Sequence, residues 1–207
     1  MNNCISVILW DFDGVILDSM KIKGDGFKKL FSKYEERFVK QLEKYHYENG
    51  GVSRFDKIRY FFNDILGEAI SEENILKFAD EFATIIEKKL FNKDNLIQES
   101  VNFIKSNYLK YNFHIVSGAE HNELNSLCDF FELSKYFKSI EGSPIQKEFL
   151  VRKILETYNY NTNNVILIGD AIGDYRASVK NKIAFYGYNN EELKKYNYIY
   201  SFRDLII

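Results

Sequence analysis

Ile5-Ser6-Val7-Ile8-Leu9-Trp10-Asp11-Phe12-Asp13-Gly14 is an apolar run that ends in two carboxylates two positions apart. The run is short and stops at a glycine, the pattern of a buried strand. Such a strand delivers Asp11 and Asp13 to one spot, where negative charge is costly unless a metal ion or a basic side chain answers it. Gly14 permits a backbone turn that a side chain would obstruct. An ordinary strand exit has the same composition, because Asp and Gly are common in turns. The rest of the chain decides between the two.

Further strand-like runs occur at 113–116, 165–168 and 183–186, with weaker ones at 137–140 and 198–200. Between them lie amphipathic segments: Leu124, Leu127, Cys128 and Phe131 share one helical face, as Phe149, Ile154, Leu155 and Tyr158 do more loosely. Strands alternating with helices predict an α/β fold, a Rossmann-like parallel sheet with helices on both faces. Ligands bind such sheets beyond the carboxyl ends of the strands. Asp11 and Asp13, Ser117 and Gly118, and Gly169 and Asp170 each fall at one of those ends.

The stretch 17–91 has a different texture, with no convincing strand. It reads as helices over 27–34, 35–47, 54–66 and 72–90, the last capped by Ser71 and presenting Phe78, Phe82, Ile85, Ile86 and Lys89 on one face. The expected organisation is a core of residues 1–16 and 92–207 carrying an α-helical cap domain at 17–91.

Three further segments carry chemistry. Phe113-His114-Ile115-Val116-Ser117-Gly118 is a strand ending in a hydroxyl and a glycine, where backbone N–H groups and Ser117 suit an anion such as phosphate. Ser117 as a simple helix cap is the alternative. Gly142-Ser143-Pro144-Ile145-Gln146-Lys147 puts Lys147 in the first turn of a helix, a poor place for a cation unless it faces anions elsewhere. Val165-Ile166-Leu167-Ile168-Gly169-Asp170 delivers a third carboxylate, with Asp174 four residues on. Hard oxygen ligands of this kind suit Mg²⁺.

Taken in order, these four stations resemble the motifs of the haloacid dehalogenase superfamily, in particular its phosphatases with a helical cap between the first and second motifs. The resemblance covers the core. It implies that Asp11 is the nucleophile that becomes an aspartyl phosphate and that Asp13 is the general acid/base. Ser117 and Gly118 would bind phosphate, and Lys147 would balance charge on nucleophile and phosphoryl group. Mg²⁺ would be held by Asp11, the Asp13 backbone carbonyl and Asp170, with Asp174 holding a metal-bound water or orienting the site. Asp13 is then expected to carry a proton at neutral pH, its pKa raised by burial and neighbouring carboxylates. Dehalogenases of the superfamily lack that second Asp. Where many relatives have a glycine after the fourth motif's helix, this chain has Lys180-Asn181-Lys182.

Within the cap, Asn49-Gly50-Gly51-Val52-Ser53-Arg54 makes a loop able to approach a ligand closely. Asn49, Gly50 and Arg54 are the expected substrate contacts, with a solvated Arg54 as the alternative; His46 reads as a packed or surface residue rather than a catalyst. The string also looks like that of phosphatase-like proteins of bacterial surface-sugar synthesis.

Composition bounds the partners. The chain has 207 residues, 28 Lys plus Arg against 30 Asp plus Glu, and 45% hydrophobic content. That balance gives no electrostatic case for nucleic acid or an acidic membrane. No apolar run reaches the length of a membrane span, and no secretory leader is legible, so the cytoplasm is the expected location. Cys4 and Cys128 read as small core residues. The expected activity is a Mg²⁺-dependent phosphomonoesterase acting on a small phosphate ester, a sugar phosphate above others. A phosphosugar mutase on the same core, and a non-catalytic binding protein, are its rivals.

Overall fold

The computed structural model describes residues 4–203 and 205. A five-stranded parallel sheet forms from β1 (Val7–Trp10), β2 (Asn112–Glu120), β3 (Ser139–Ser143), β4 (Val165–Gly169) and β5 (Ala184–Gly187), in the order β3-β2-β1-β4-β5. β1 is central and wholly buried: Val7 pairs with Asn112 and Val165, and Trp10 with Ile115 and Ile168. Strand order reverses direction at β1, so a crevice opens beyond its carboxyl end.

Alternation along β1 divides the core. Val7 and Leu9 pack with Leu150, Val151 and Ile154 of α7 (Lys147–Thr157) and Ala177 of α8 (Ile172–Lys180). Ile8 and Trp10 join the opposite cluster, with Val101 and Ile104 of α5 (Gln98–Asn107) and Leu124 and Leu127 of α6 (His121–Phe130). Both faces are therefore covered, and the α/β class read from the sequence holds.

Residues 20–90 supply the remaining helices: α1 (Met20–Leu30), α2 (Glu36–Glu48), α3 (Arg54–Tyr60), a π-helical turn Phe61–Leu66, and α4 (Glu72–Leu90). Phe27 stacks on Phe82 at 4.2 Å and Phe31 on Phe61 at 4.0 Å, tying α1 to α4 and to the π turn. The first of these helices begins at Met20, seven residues before the expected start, despite Gly24 and Gly26 in its interior. Those glycines weaken a helix by about 1 kcal/mol each relative to alanine. Close packing is their return, because a Cβ at Gly26 would collide with Ile86 and one at Gly24 would crowd Tyr47. Ser71 caps α4 as expected, accepting from the Asn74 amide. The buried face of α4 is Ile75, Ala79, Phe82, Ile86 and Leu90, with Lys89 exposed rather than on it.

Other expectations are corrected. β2 runs on to Glu120, whose side chain accepts from the Asn122 and Glu123 amides, so Glu120 and not Ser117 caps α6. β3 begins two residues later and ends three residues later than the apolar run at 137–140. Tyr198 forms only a single bridge to Gly187 instead of a strand over 198–200. α5 had no counterpart in the sequence reading, although Val101 and Ile104 are spaced for one buried face. Cys128 is buried but Cys4 is exposed. Lys182 adopts φ +55, the left-handed conformation that a glycine would take without strain. Among the described residues no helix is long and apolar enough to cross a membrane.

Candidate active site

Four chain segments converge beyond the carboxyl end of the sheet. Asp11 directly follows β1, its amide donating to the Ile168 carbonyl of β4 at 2.9 Å. Gly14 takes φ +74, and the chain then turns back so that its amide donates to the Leu17 carbonyl at 2.8 Å. A Cβ at Gly14 would collide with the Asp170 carboxylate, so both the turn and that close approach require glycine here.

Asp170 follows β4, and Asp174 sits in the first turn of α8, where its Oδ2 accepts from the Ala171 amide at 3.0 Å. This is a favourable place for an anion at a helix start. One oxygen from each of Asp11, Asp170 and Asp174 lies within 4.8 Å of the others. Lys147, the first residue of α7, reaches into the group: its Nζ lies 2.9 Å from Asp11 Oδ1 and also pairs with Asp174. Asp11 and Lys147 are 2% and 7% exposed at residue and side chain respectively, so their charges are weakly screened.

Electrostatics report a deficit of positive charge. Burial pushes the Asp11 carboxyl up to about 7, aided by Asp174 and opposed by Lys147. Burial and the charges of Asp11 and Asp174 likewise push Asp170 well above the usual carboxylate range. Burial disfavours the Lys147 ammonium, yet Asp11 and Asp174 outweigh it and hold the lysine protonated. Three carboxylates thus share one cation. An all-oxygen set of this kind has the composition to hold a divalent metal ion.

Asp13 points elsewhere, toward the helices of 20–90. Its Oδ1 accepts from Ser19 Oγ at 2.5 Å and its Oδ2 from Lys23 Nζ at 2.5 Å. Burial favours the neutral acid, but Lys23 and Ser19 outweigh it and lower the pKa. This corrects the expectation of a raised Asp13: the ammonium beside it is nearer than the other carboxylates. A cavity of about 20 Å³ continues from Asp13 past Lys23, His46, Arg54, Lys57 and Gly118.

The other expected residues are placed as follows. Ser117 is buried two positions beyond the last β1 pairing of β2, its Oγ accepting from the Ala119 amide at 3.1 Å. Gly118 lies against the Gly50–Gly51 loop so closely that a Cβ there would strike the Gly51 carbonyl. Gly50 lines the Asp13 cavity. It also lines a cleft of about 410 Å³ with Asp170 and Asn190. The Asn49 amide donates to Tyr45 O at 3.0 Å, closing the end of α2. Arg54 is buried and paired with Glu123 of α6, which excludes the solvated alternative. A cavity of about 750 Å³ beside α5 and residues 201–203 contains none of these residues.

Lys23, Ser19, Lys57, Glu123 and Asn190 escaped the sequence reading. A signal existed for the first two: Ser19, just before α1, and Lys23, within it, stand four apart, one helical turn, and six and ten residues after Asp13. His46, expected as packed, is buried, its Nε2 2.9 Å from Met20 O and its Nδ1 2.9 Å from Lys57 Nζ. Asn190 Nδ2 donates to Asp170 O at 2.7 Å and fixes that loop; nothing in its local sequence announces it.

The model of a haloacid dehalogenase-like hydrolase family matches residues 8–188. No curated protein sequence matches the chain. Among solved structures, a β-phosphoglucomutase from Clostridium difficile is similar at 21% identity and TM-score 0.74, over 98% of this chain and 94% of that one. A predicted phosphatase from Clostridium acetobutylicum shares 20% identity, with TM-score 0.73 over 94% of each chain. CbbY from Rhodobacter sphaeroides, in complex with phosphate, shares 14% identity, with TM-score 0.74 over 97% of this chain and 96% of that one. At these identities the structures establish the fold, while the family match spans most of the sequence. The chain belongs to the haloacid dehalogenase-like hydrolases.

Proposed function

We propose that this chain hydrolyses a phosphate monoester of a small metabolite, a phosphorylated sugar above others, through a phosphoryl group carried on Asp11. The observation that carries the reading is the bridge made by Lys147 between Asp11 and Asp174, beside Asp170 at the mouth of the sheet. A carboxylate is a weak nucleophile and a phosphate dianion repels it, so attack needs positive charge on both partners. Mg²⁺ fits the oxygen set of Asp11, Asp170 and Asp174, with the Asp13 main-chain carbonyl as the resemblance implies, and would supply the charge that Lys147 alone does not.

Lys147 faces Asp11 and draws charge from an incoming phosphoryl oxygen. Ser117 and the Gly118 amide hold a second oxygen. Asp13 with Lys23 forms the acid/base unit: the proton resting at Lys23 Nζ passes through Asp13 to the departing alcohol oxygen. Asp13 then takes a proton from the water that attacks the phosphoryl group on Asp11. Residues 17–91 act as a cap domain, its Gly50–Gly51 loop closing the site from water.

Incubation with Mg²⁺ and a panel of phosphorylated sugars and short alcohols tests the reading by free phosphate measured in molar excess over enzyme. Asp11→Asn is expected to lower turnover by at least about a thousandfold with an unchanged fold by circular dichroism. Retained activity in that variant rejects Asp11 as nucleophile. Isomerised ester without release of phosphate identifies a mutase, and no turnover of any ester revives a binding role.

A further inference from the structure

Three cations surround the cavity beside Asp13, and two of them have carboxylate partners. Lys23 pairs with Asp13, and Arg54 with Glu123. Lys57 of α3 does not. It is 3% exposed, and among the described residues no carboxylate lies within 4.0 Å of its Nζ; its one hydrogen-bond partner is His46 Nδ1 at 2.9 Å. His46 Nε2 is in turn engaged with Met20 O.

A buried ammonium without a counter-ion is costly to maintain. Lysine can snorkel to water where it has a route, yet this one ends in the cavity that Asp13 and Gly118 also line. Asp13 is where the departing alcohol lies in the reading above. The group facing Lys57 therefore belongs to that alcohol rather than to the phosphate at Asp11.

We propose that Lys57, with His46 at its side, receives a carboxylate carried by the leaving group, so that the substrate is the phosphate ester of a hydroxy acid or sugar acid. This deepens, and rests on, the phosphatase reading. Charge selects a carboxylate over a second phosphate dianion. With Lys57 charged, the cavity's side chains sum to one surplus positive charge, from Lys23, Arg54 and Lys57 against Asp13 and Glu123. The open volume of about 20 Å³ has room for about one water-sized group, so the acid takes the place of that solvent as the surrounding side chains give way. Burial and the nearby Lys23 bring the Lys57 pKa down to about 7, so an anion beside it also restores its full charge.

The test uses pairs of esters matched apart from the carboxylate: 2-phosphoglycolate with ethyl phosphate, 3-phosphoglycerate with glycerol 3-phosphate, and 6-phosphogluconate with glucose 6-phosphate. In the pair with the fastest turnover, the acid is expected to be favoured at least about tenfold in kcat/KM, the scale of one charge-assisted hydrogen bond. Lys57→Met, close in volume, is expected to bring that ratio toward unity. A neutral ester that equals or beats its acid partner overturns the proposal, as does a ratio unchanged in Lys57→Met. Calorimetric titration of the full chain with glycerate and gluconate, against glycerol and glucose, separates this from the reaction itself. Binding of an acid that vanishes in Lys57→Met supports the carboxylate site even if no ester is hydrolysed. Equal binding of acids and neutral polyols rejects it even if phosphate is released.

Discussion

Arg54 and Glu123 join α3 to α6 across the cavity, and their pairing predicts a specific energetic pattern. The Arg54 side chain is 6% exposed and that of Glu123 12%, so water screens the pair little. Glu123→Gln leaves the guanidinium buried over the Phe82 ring, 5.1 Å from its centroid, with no carboxylate to answer it. Breaking a buried pair from one side costs about 3–5 kcal/mol. The Phe82 contact is the same before and after and drops out of the difference, while the glutamine oxygen still accepts one hydrogen bond, which offsets about 1 kcal/mol. The expected loss is therefore about 2–4 kcal/mol. Replacing both residues, Arg54→Met with Glu123→Leu, removes the charges together and is expected to cost less than about 1 kcal/mol. The double-mutant cycle then shows a coupling of about 2 kcal/mol or more. Urea unfolding of the parent, both single variants and the double variant at one pH and salt measures each corner, with m-values compared to exclude changes in compactness. Additive single effects, or Glu123→Gln within about 0.5 kcal/mol of the parent, refute the reasoning.

Acid sensitivity is expected from His114, buried in β2 between Ser139 Oγ at 2.7 Å and Tyr160 Oη at 3.1 Å. Burial brings it down from 6.5 to about 4, so below pH 6.5 the unfolded chain takes a proton that the folded one refuses. Its stabilisation is whole above pH 6.5 and lost as the pH falls toward 4, about 3 kcal/mol in all; His114→Gln should flatten the stability curve in that window, and parallel curves reject the assignment. A divalent cation bound at a hundredfold excess over its Kd is expected to stabilise the parent by about 2.7 kcal/mol. Asp170→Asn should weaken that response in thermal unfolding and a chelator should abolish it; equal responses of parent and variant remove Asp170 from the ligand set. Gly118→Ala sets a methyl against the Gly51 carbonyl, a main-chain atom with little room to yield. We expect about 1–3 kcal/mol of lost stability together with a raised KM, and a variant matching the parent in both shows that the loop does not rest on Gly118.

Strand ends were the legible part of this molecule. Each apolar run stops where its polar residue begins, and a parallel sheet aligns those stops on one edge, so Asp11, Ser117 and Asp170 follow from local sequence and topology together. Lys147 needed the family resemblance, because a helix-start lysine alone is an ordinary surface feature. The second half of the site was not legible in the same way. Lys23, His46, Lys57 and Glu123 come from four different helices and meet only through tertiary packing. The closest local hint was Gly24 and Gly26 inside α1, whose cost in helix stability signals contact with neighbouring helices. The state of Asp13 was misread for the same reason: its nearest charge, the Lys23 ammonium, lies a full loop and one helical turn away in sequence.

The central position of β1 bears on how the chain is made. Its two neighbours are encoded more than a hundred residues downstream, so a growing polypeptide leaves the ribosome with an apolar segment whose edges have nothing to pair with. The helices of 20–90 emerge next and have one another to fold against, through Phe27, Phe31, Phe61 and Phe82. Synthesis halted before β2 is therefore expected to leave a helical bundle tethered to an aggregation-prone strand, with Asp11 present but its partners missing.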